Sequence, residues 1–261
     1  MAGLDYIEGE KKMNFQRLFV TAFVFVFVTM MAVGSGAAAV CSNASLNGVV
    51  GFVTTAWTAG VGIGGASVGQ LTFDGKGNFS AVAIDSAFGT IGPDDFSGTY
   101  SIGKDCTGTL NITSPDQHTF NIVLDDMRKG FLLIETDGVY IASAFGIPQG
   151  TVTCGLTGKK QTFAISLAGT AVGVGPVVAV GQMTLDGKGG LTGKTTFNLN
   201  GTVISGSMTG SYTANSSCNG TAQMTVDGLT TNYYVVIVNS TKELLVIETD
   251  SGTVVTGTFQ E

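Results

Sequence analysis

The sequence is poor in charge, and poorest in basic charge: 12 Lys and Arg stand against 19 Asp and Glu, and charged residues make up 12% of the chain. Beyond residue 40 the balance is nine against sixteen. That deficit argues against nucleic acid as a partner, since neutralising phosphates takes clustered Lys and Arg. It argues equally against electrostatic attachment to anionic lipid. There is one histidine, His118, and no Cys-x-x-Cys pair, so no metal site is expected. A Ser-His-Asp triad would have to use that single imidazole. No glycine-rich loop leads into a helical pattern, so no phosphate cradle and no cofactor is expected either. From these absences no catalytic residue is assigned.

What is present in quantity is Gly, Thr, Val and Ser, after an N-terminal segment of different character. Lys11, Lys12 and Arg17 precede an apolar run from Leu18 to Val33, and Gly34-Ser-Gly-Ala-Ala-Ala39 follows it. This is the order of a signal peptide, with residues 1–39 removed after Ala39 and Met13 an alternative start. Contact with a membrane is then expected only through this segment if it is retained, and the remainder is expected outside the cytoplasm.

Self-similarity organises the rest. Gly69-Gln-Leu-Thr-Phe-Asp-Gly-Lys-Gly-Asn-Phe-Ser80 recurs as Gly181-Gln-Met-Thr-Leu-Asp-Gly-Lys-Gly-Gly-Leu-Thr192, with seven of twelve positions identical. Gly98-Thr-Tyr-Ser recurs as Gly210-Ser-Tyr-Thr, and Leu133-Ile-Glu-Thr-Asp137 as Val246-Ile-Glu-Thr-Asp250, at an offset of 112 to 113 residues. The chain therefore reads as two copies of one unit, 40–150 and 151–261. The cysteines keep the same frame: Cys41 and Cys106 lie 65 apart, Cys154 and Cys218 64 apart. Four cysteines allow three connectivities. A duplicated unit most simply closes one bridge within each copy, and an exported chain reaches a compartment where such bonds persist.

The apolar period is two, as in Phe120, Ile122 and Leu124, and Asp74-Gly75 and Asp186-Gly187 mark tight turns. Seven or eight short strands per copy, joined in sequence, must hide their edges, and closure into a barrel does so completely. The expectation is an all-β chain of two tandem antiparallel meander barrels behind a cleaved signal helix. A two-sheet sandwich per copy ranks second and one large shared barrel third.

The Thr-Phe-Asp-Gly-Lys-Gly-Asn-Phe-Ser run, with the later Gly-Thr-Tyr-Ser and Asp-Cys-Thr-Gly-Thr, resembles uncharacterised secreted repeat proteins of soil bacteria of the acidobacterial type. That resemblance implies export and β structure and brings no activity. Cys154-Gly-Leu-Thr-Gly158 is also similar to the opening of avidins, whose first strand, like that of lipocalins, reads Gly-x-Trp, although Lys160 stands where that tryptophan belongs. This lipocalin-like likeness implies architecture alone.

Three groups of residues are candidates for function. Phe52, Trp57, Phe73, Phe79 and Tyr100 are placed to line an apolar pocket in the first copy, the alternative being a barrel filled by its own side chains. Glu135 with Asp137, and Glu248 with Asp250, put two carboxylates at i and i+2, a spacing that serves acid–base chemistry. Their position between an apolar run and a turn favours a solvated strand end instead. Asp74-Gly-Lys-Gly-Asn78 lacks the ligand pattern of a calcium loop and reads as a hairpin turn. The function expected is a secreted, non-enzymatic β-barrel protein binding a small apolar ligand. Behind it stand a structural or surface-interaction protein with solid cores and, more remotely, a hydrolase using the Glu-Thr-Asp carboxylates.

Overall fold

The structure, a computed structural model, describes residues 40–58, 62–125, 130–138, 140–150 and 154–261. The signal segment expected over residues 1–39 lies outside the described residues. Strands β1 (Asn47–Thr58), β2 (Gly62–Asp74), β3 (Asn78–Ala87), β4 (Thr90–Ile102), β5 (Thr107–Ser114), β6 (His118–Asp125), β7 (Gly130–Glu135) and β8 (Ile141–Pro148) pair in chain order. β8 then closes on β1, from Val50 opposite Pro148 to Trp57 opposite Ile141. A second closed barrel repeats this with β9 (Gln161–Ala171), β10 (Gly175–Leu185), β11 (Gly190–Leu199), β12 (Thr202–Ala214), β13 (Asn219–Val226), β14 (Leu229–Val238), β15 (Glu243–Glu248) and β16 (Thr253–Gln260). All pairings are antiparallel. The expectation of two eight-stranded barrels is thus met, and closure leaves neither sheet an edge.

The repeated motifs are the joints of the barrels. Asp74 Oδ1 accepts the backbone N–H groups of Lys76, Gly77 and Asn78 at 2.7, 3.0 and 2.9 Å, and Asp186 Oδ1 accepts those of Lys188 and Gly190 at 2.7 and 2.9 Å. The side chain supplies the turn with the acceptor that its backbone lacks. Hydrogen bonds from Asn78 and from the turn amides hold the Asp74 carboxyl down at about 2. Gly75 and Gly77 both need positive φ, 71° and 116°, which explains why the Asp-Gly-Lys-Gly spacing survives in both copies.

The repeated tyrosine closes one end of each barrel. Tyr100 donates its hydroxyl proton to the Leu46 carbonyl at 2.8 Å, and Tyr212 does the same to Leu156 at 2.9 Å. Disulfides Cys41–Cys106 and Cys154–Cys218, with Cα atoms 5.0 and 4.6 Å apart, pin the chain entering each barrel to its β4–β5 or β12–β13 turn. Structural disulfides form and persist in oxidising environments, so the two bridges suit an extracytoplasmic compartment.

The barrels pack on each other. Val53, Ala66, Val68 and Ile147 from the first meet Val236, Val238, Leu245, Ile247 and Val254 from the second in one buried apolar cluster. β15 is buried along its whole length, because one face looks into its barrel and the other into this contact. That is why Leu244-Leu-Val-Ile247 reads as an unbroken apolar run rather than an alternating one. Hydrogen bonds rim the contact: Ser86 Oγ to the Thr253 carbonyl at 2.6 Å, Gln70 Nε2 to the Ser217 carbonyl at 2.6 Å, and the Gly252 N–H to the Gly89 carbonyl at 2.9 Å. Gly62–Gly65 begins β2, where a Cβ on Gly64 would stand 2.7 Å from Thr58 Oγ1 and 2.9 Å from the Phe88 ring.

Candidate functional site

The two ends of the first barrel differ. At the end carrying the β2–β3, β4–β5 and β6–β7 connections the interior is filled with aromatic rings. Phe73 packs edge-on to Tyr100 at 5.1 Å and to Phe131 at 5.8 Å between ring centroids, with Phe79 at 5.9 Å. At the opposite end, among the last residues of β1, β3, β5 and β7 and the first of β2, β4, β6 and β8, lies a cavity of about 380 Å³. Its floor is apolar, made by Phe52, Leu71, Phe96, Leu110, Phe120 and Leu133, and its rim carries Asp85, Asp94, Asp116, His118 and Glu135.

Of the aromatic residues expected to line a pocket, the structure brings Phe52 to the cavity floor, where it meets Phe96 edge-on at 5.9 Å. Phe73, Phe79 and Tyr100 belong to the solid cluster beneath, all buried. Trp57, at the end of β1, is 40% exposed. Phe96, Leu110, Phe120, Asp85, Asp94 and Asp116 were not singled out from the sequence as cavity residues. Their signal was the alternation within β4, β5 and β6, which needs the strand register before it names an inner face.

The second barrel carries the same architecture with a different set of inward side chains: Ile165, Ala222 and Val246 are smaller than Phe52, Leu110 and Leu133, while others are larger. At the 112 to 113 residue offset, Leu167 replaces Thr54, Val255 replaces Ala142, Met224 replaces Ile112 and Tyr233 replaces Phe120. Leu167, Val255, Met224 and Tyr233 are all buried, between 1 and 4% exposed. At these four positions barrel two carries side-chain bulk that barrel one lacks.

The rim has a distinct electrostatic character. No Lys or Arg lines the cavity among the described residues. Burial, helped by Asp94, pushes the Asp85 carboxyl above its usual range. Burial, then Asp95 and Asp116, does the same to Asp94, against the pull of His118. Glu135 is raised by burial first and by Asp137 next, again opposed by His118. Both Glu135 and Glu248 were expected at solvated strand ends. The structure corrects this: they are 9 and 8% exposed, because the last residue of β7 and of β15 still points into its barrel. Burial, reinforced by Asp250, pushes Glu248 up to about 7.

His118, Glu135 and Asp137 converge. His118 Nδ1 stands 3.3 Å from Glu135 Oε1 and 3.3 Å from Asp137 Oδ2. The β6–β7 register, which sets Phe120 opposite Glu135, carries His118 to the level of Asp137. Asp137 Oδ2 also accepts the Thr119 N–H at 3.0 Å, and Asp250 Oδ2 accepts the equivalent Asn232 N–H at 2.7 Å. The aspartate therefore recurs for a structural reason in both copies, whereas His118 has Thr231 as its counterpart.

Fold and site together define a tandem of disulfide-closed eight-stranded antiparallel barrels, one of them hollow at an acid-rimmed end. Compared with known proteins, the chain matches no protein-family profile and no curated sequence.

Proposed function

We propose that the protein is a secreted, non-enzymatic binding protein whose first barrel takes up a small, largely apolar molecule and whose second barrel is a solid structural partner. The observation that carries this reading is the asymmetry between the copies: the inward positions that are Thr54 and Ala142 in one barrel are Leu167 and Val255 in the other. The cavity falls within the size range of small-ligand pockets and has their usual make-up, apolar walls with a few polar groups. The rim restricts the ligand further. With carboxylates at Asp85, Asp94, Asp116 and Glu135 and no Lys or Arg among its described residues, it repels carboxylate-bearing lipids and admits neutral or amine-bearing molecules.

The test is titration with a neutral fluorescent apolar amine, N-phenyl-1-naphthylamine. Saturable binding is expected in the wild-type protein and its loss in Ala142→Phe, which puts a ring into the cavity at the position that Val255 holds in the second barrel. Unsaturable binding, or binding that Ala142→Phe leaves intact, would show that the cavity is not the site.

A further inference from the structure

We infer that His118, Glu135 and Asp137 form a binding site for a divalent metal ion of the zinc class, at the rim of the first barrel. The geometry is that of a ligand set. One potential ligand atom from each residue lies within 4.8 Å of the others, and the two measured edges from His118 Nδ1 are 3.3 Å. Nitrogen and oxygen ligands about 2.1 Å from a common ion, at tetrahedral to octahedral angles, stand roughly 3.0–3.4 Å apart.

A second observation is independent of that spacing. The Glu135 side chain is fully buried, and beyond the 3.3 Å approaches of His118 Nδ1 to Glu135 and Asp137 neither its carboxylate oxygens nor that nitrogen has a contact of good hydrogen-bond geometry. A buried carboxylate left in this state is costly, and a cation at the point where the three groups meet supplies what is missing. The surroundings favour positive charge as well, since Asp94 and Asp116 share the rim with His118 and Glu135. The Thr119 N–H donated to Asp137 Oδ2 orients that carboxylate, as outer-shell hydrogen bonds do for metal ligands.

One imidazole with two carboxylates suits zinc and its first-row neighbours, whereas calcium prefers an all-oxygen shell. Three protein ligands leave at least one coordination position for water or a bound molecule, next to the cavity that His118 and Glu135 line. The second barrel is a control within the same chain. There Thr231 replaces the histidine, and Asp250 is engaged by the backbone and side-chain N–H groups of Asn232, both at 2.7 Å.

Because the chain has one histidine, its imidazole can be followed without ambiguity. Untagged protein carrying ¹⁵N-labelled histidine, stripped with chelator, is titrated with zinc chloride and followed by calorimetry and by the imidazole nitrogen resonances. The expected result is uptake of one zinc per chain with a shift of the Nδ1 resonance to the metal-bound position, undisturbed by excess calcium. Changes to outer-shell partners alone cost about 10–100-fold in affinity, so His118→Gln and Glu135→Gln are expected to lose at least about a hundredfold. Glu248→Gln should retain full affinity. Ala142→Phe should bind zinc normally while refusing the apolar probe, which separates this site from the ligand reading. Failure to take up one zinc, an unmoved Nδ1 resonance, or equal affinity in folded His118→Gln protein would overturn the assignment.

Discussion

Replacing Glu248 by glutamine removes an ionisation that the second barrel opposes. Glu248 ends β15, is 8% exposed, and its carboxyl is pushed from 4.5 up to about 7, chiefly by burial and next by Asp250. A shift of that size corresponds to about 3 kcal/mol, at about 1.4 kcal/mol for each pH unit. The sign follows from linkage. The folded state holds this proton more tightly than the unfolded chain does, so the stabilisation is complete below about pH 4.5 and is lost as pH rises through about 7. Glutamine imitates the protonated acid at every pH. The wild-type protein and Glu248→Gln should therefore be equally stable near pH 4, and the variant should be more stable at pH 8 by up to about 3 kcal/mol. Urea unfolding of the oxidised protein, followed by far-ultraviolet circular dichroism from pH 4 to 8, measures the difference. Glu135, Asp85 and Asp94 are also raised, but they are common to both proteins and cancel in the comparison. Parallel stability curves, or a variant that is weaker at pH 8, would refute the reasoning.

Two further perturbations test the frame. Cys41→Ala with Cys106→Ala opens a loop of 65 residues, and the entropy regained by the unfolded chain should lower stability by about 4 kcal/mol, read as a fall in the urea midpoint with an increased slope. Gly51→Val places a Cβ only 2.4 Å from Val238 Cγ1 and 2.9 Å from Val236 Cγ1 across the contact between the barrels. Overpacking there should cost roughly 1–3 kcal/mol and speed amide exchange in β14 and β15, while unchanged exchange would place the contact elsewhere.

Much of the frame was legible because it is local or repeated. The Asp-Gly-Lys-Gly turns, the period-two strands and the paired cysteines each depend on short segments that the duplication shows twice. The inner surfaces were not legible to the same degree. Which of Phe52, Phe73 and Phe79 faces a hollow and which a solid cluster depends on how deep each lies along the barrel axis, and no residue period encodes depth. The alignment of the copies did contain the exchanges of Thr54 for Leu167 and Ala142 for Val255, but they acquire meaning only once both positions are known to point inward. The convergence at the rim was hidden for a different reason. His118 lies 17 residues before Glu135 and 19 before Asp137, and only the β6–β7 register brings the three together. The Glu-Thr-Asp pair drew notice through its repetition, whereas its unrepeated partner, the single histidine, is what distinguishes the first copy.

On the reading proposed above, two barrels of one ancestry have diverged into a hollow receptor and a solid support. Native mass spectrometry tests it most directly, on untagged protein recovered unreduced from its producing cells and then exposed to excess apolar probe. One small molecule per chain is expected, carried from the cell or taken up from the probe, on a chain about 4 Da lighter than its fully reduced form. Two molecules per chain would mean that the barrels are equivalent, and none, even with probe in excess, would mean that the first barrel is no receptor.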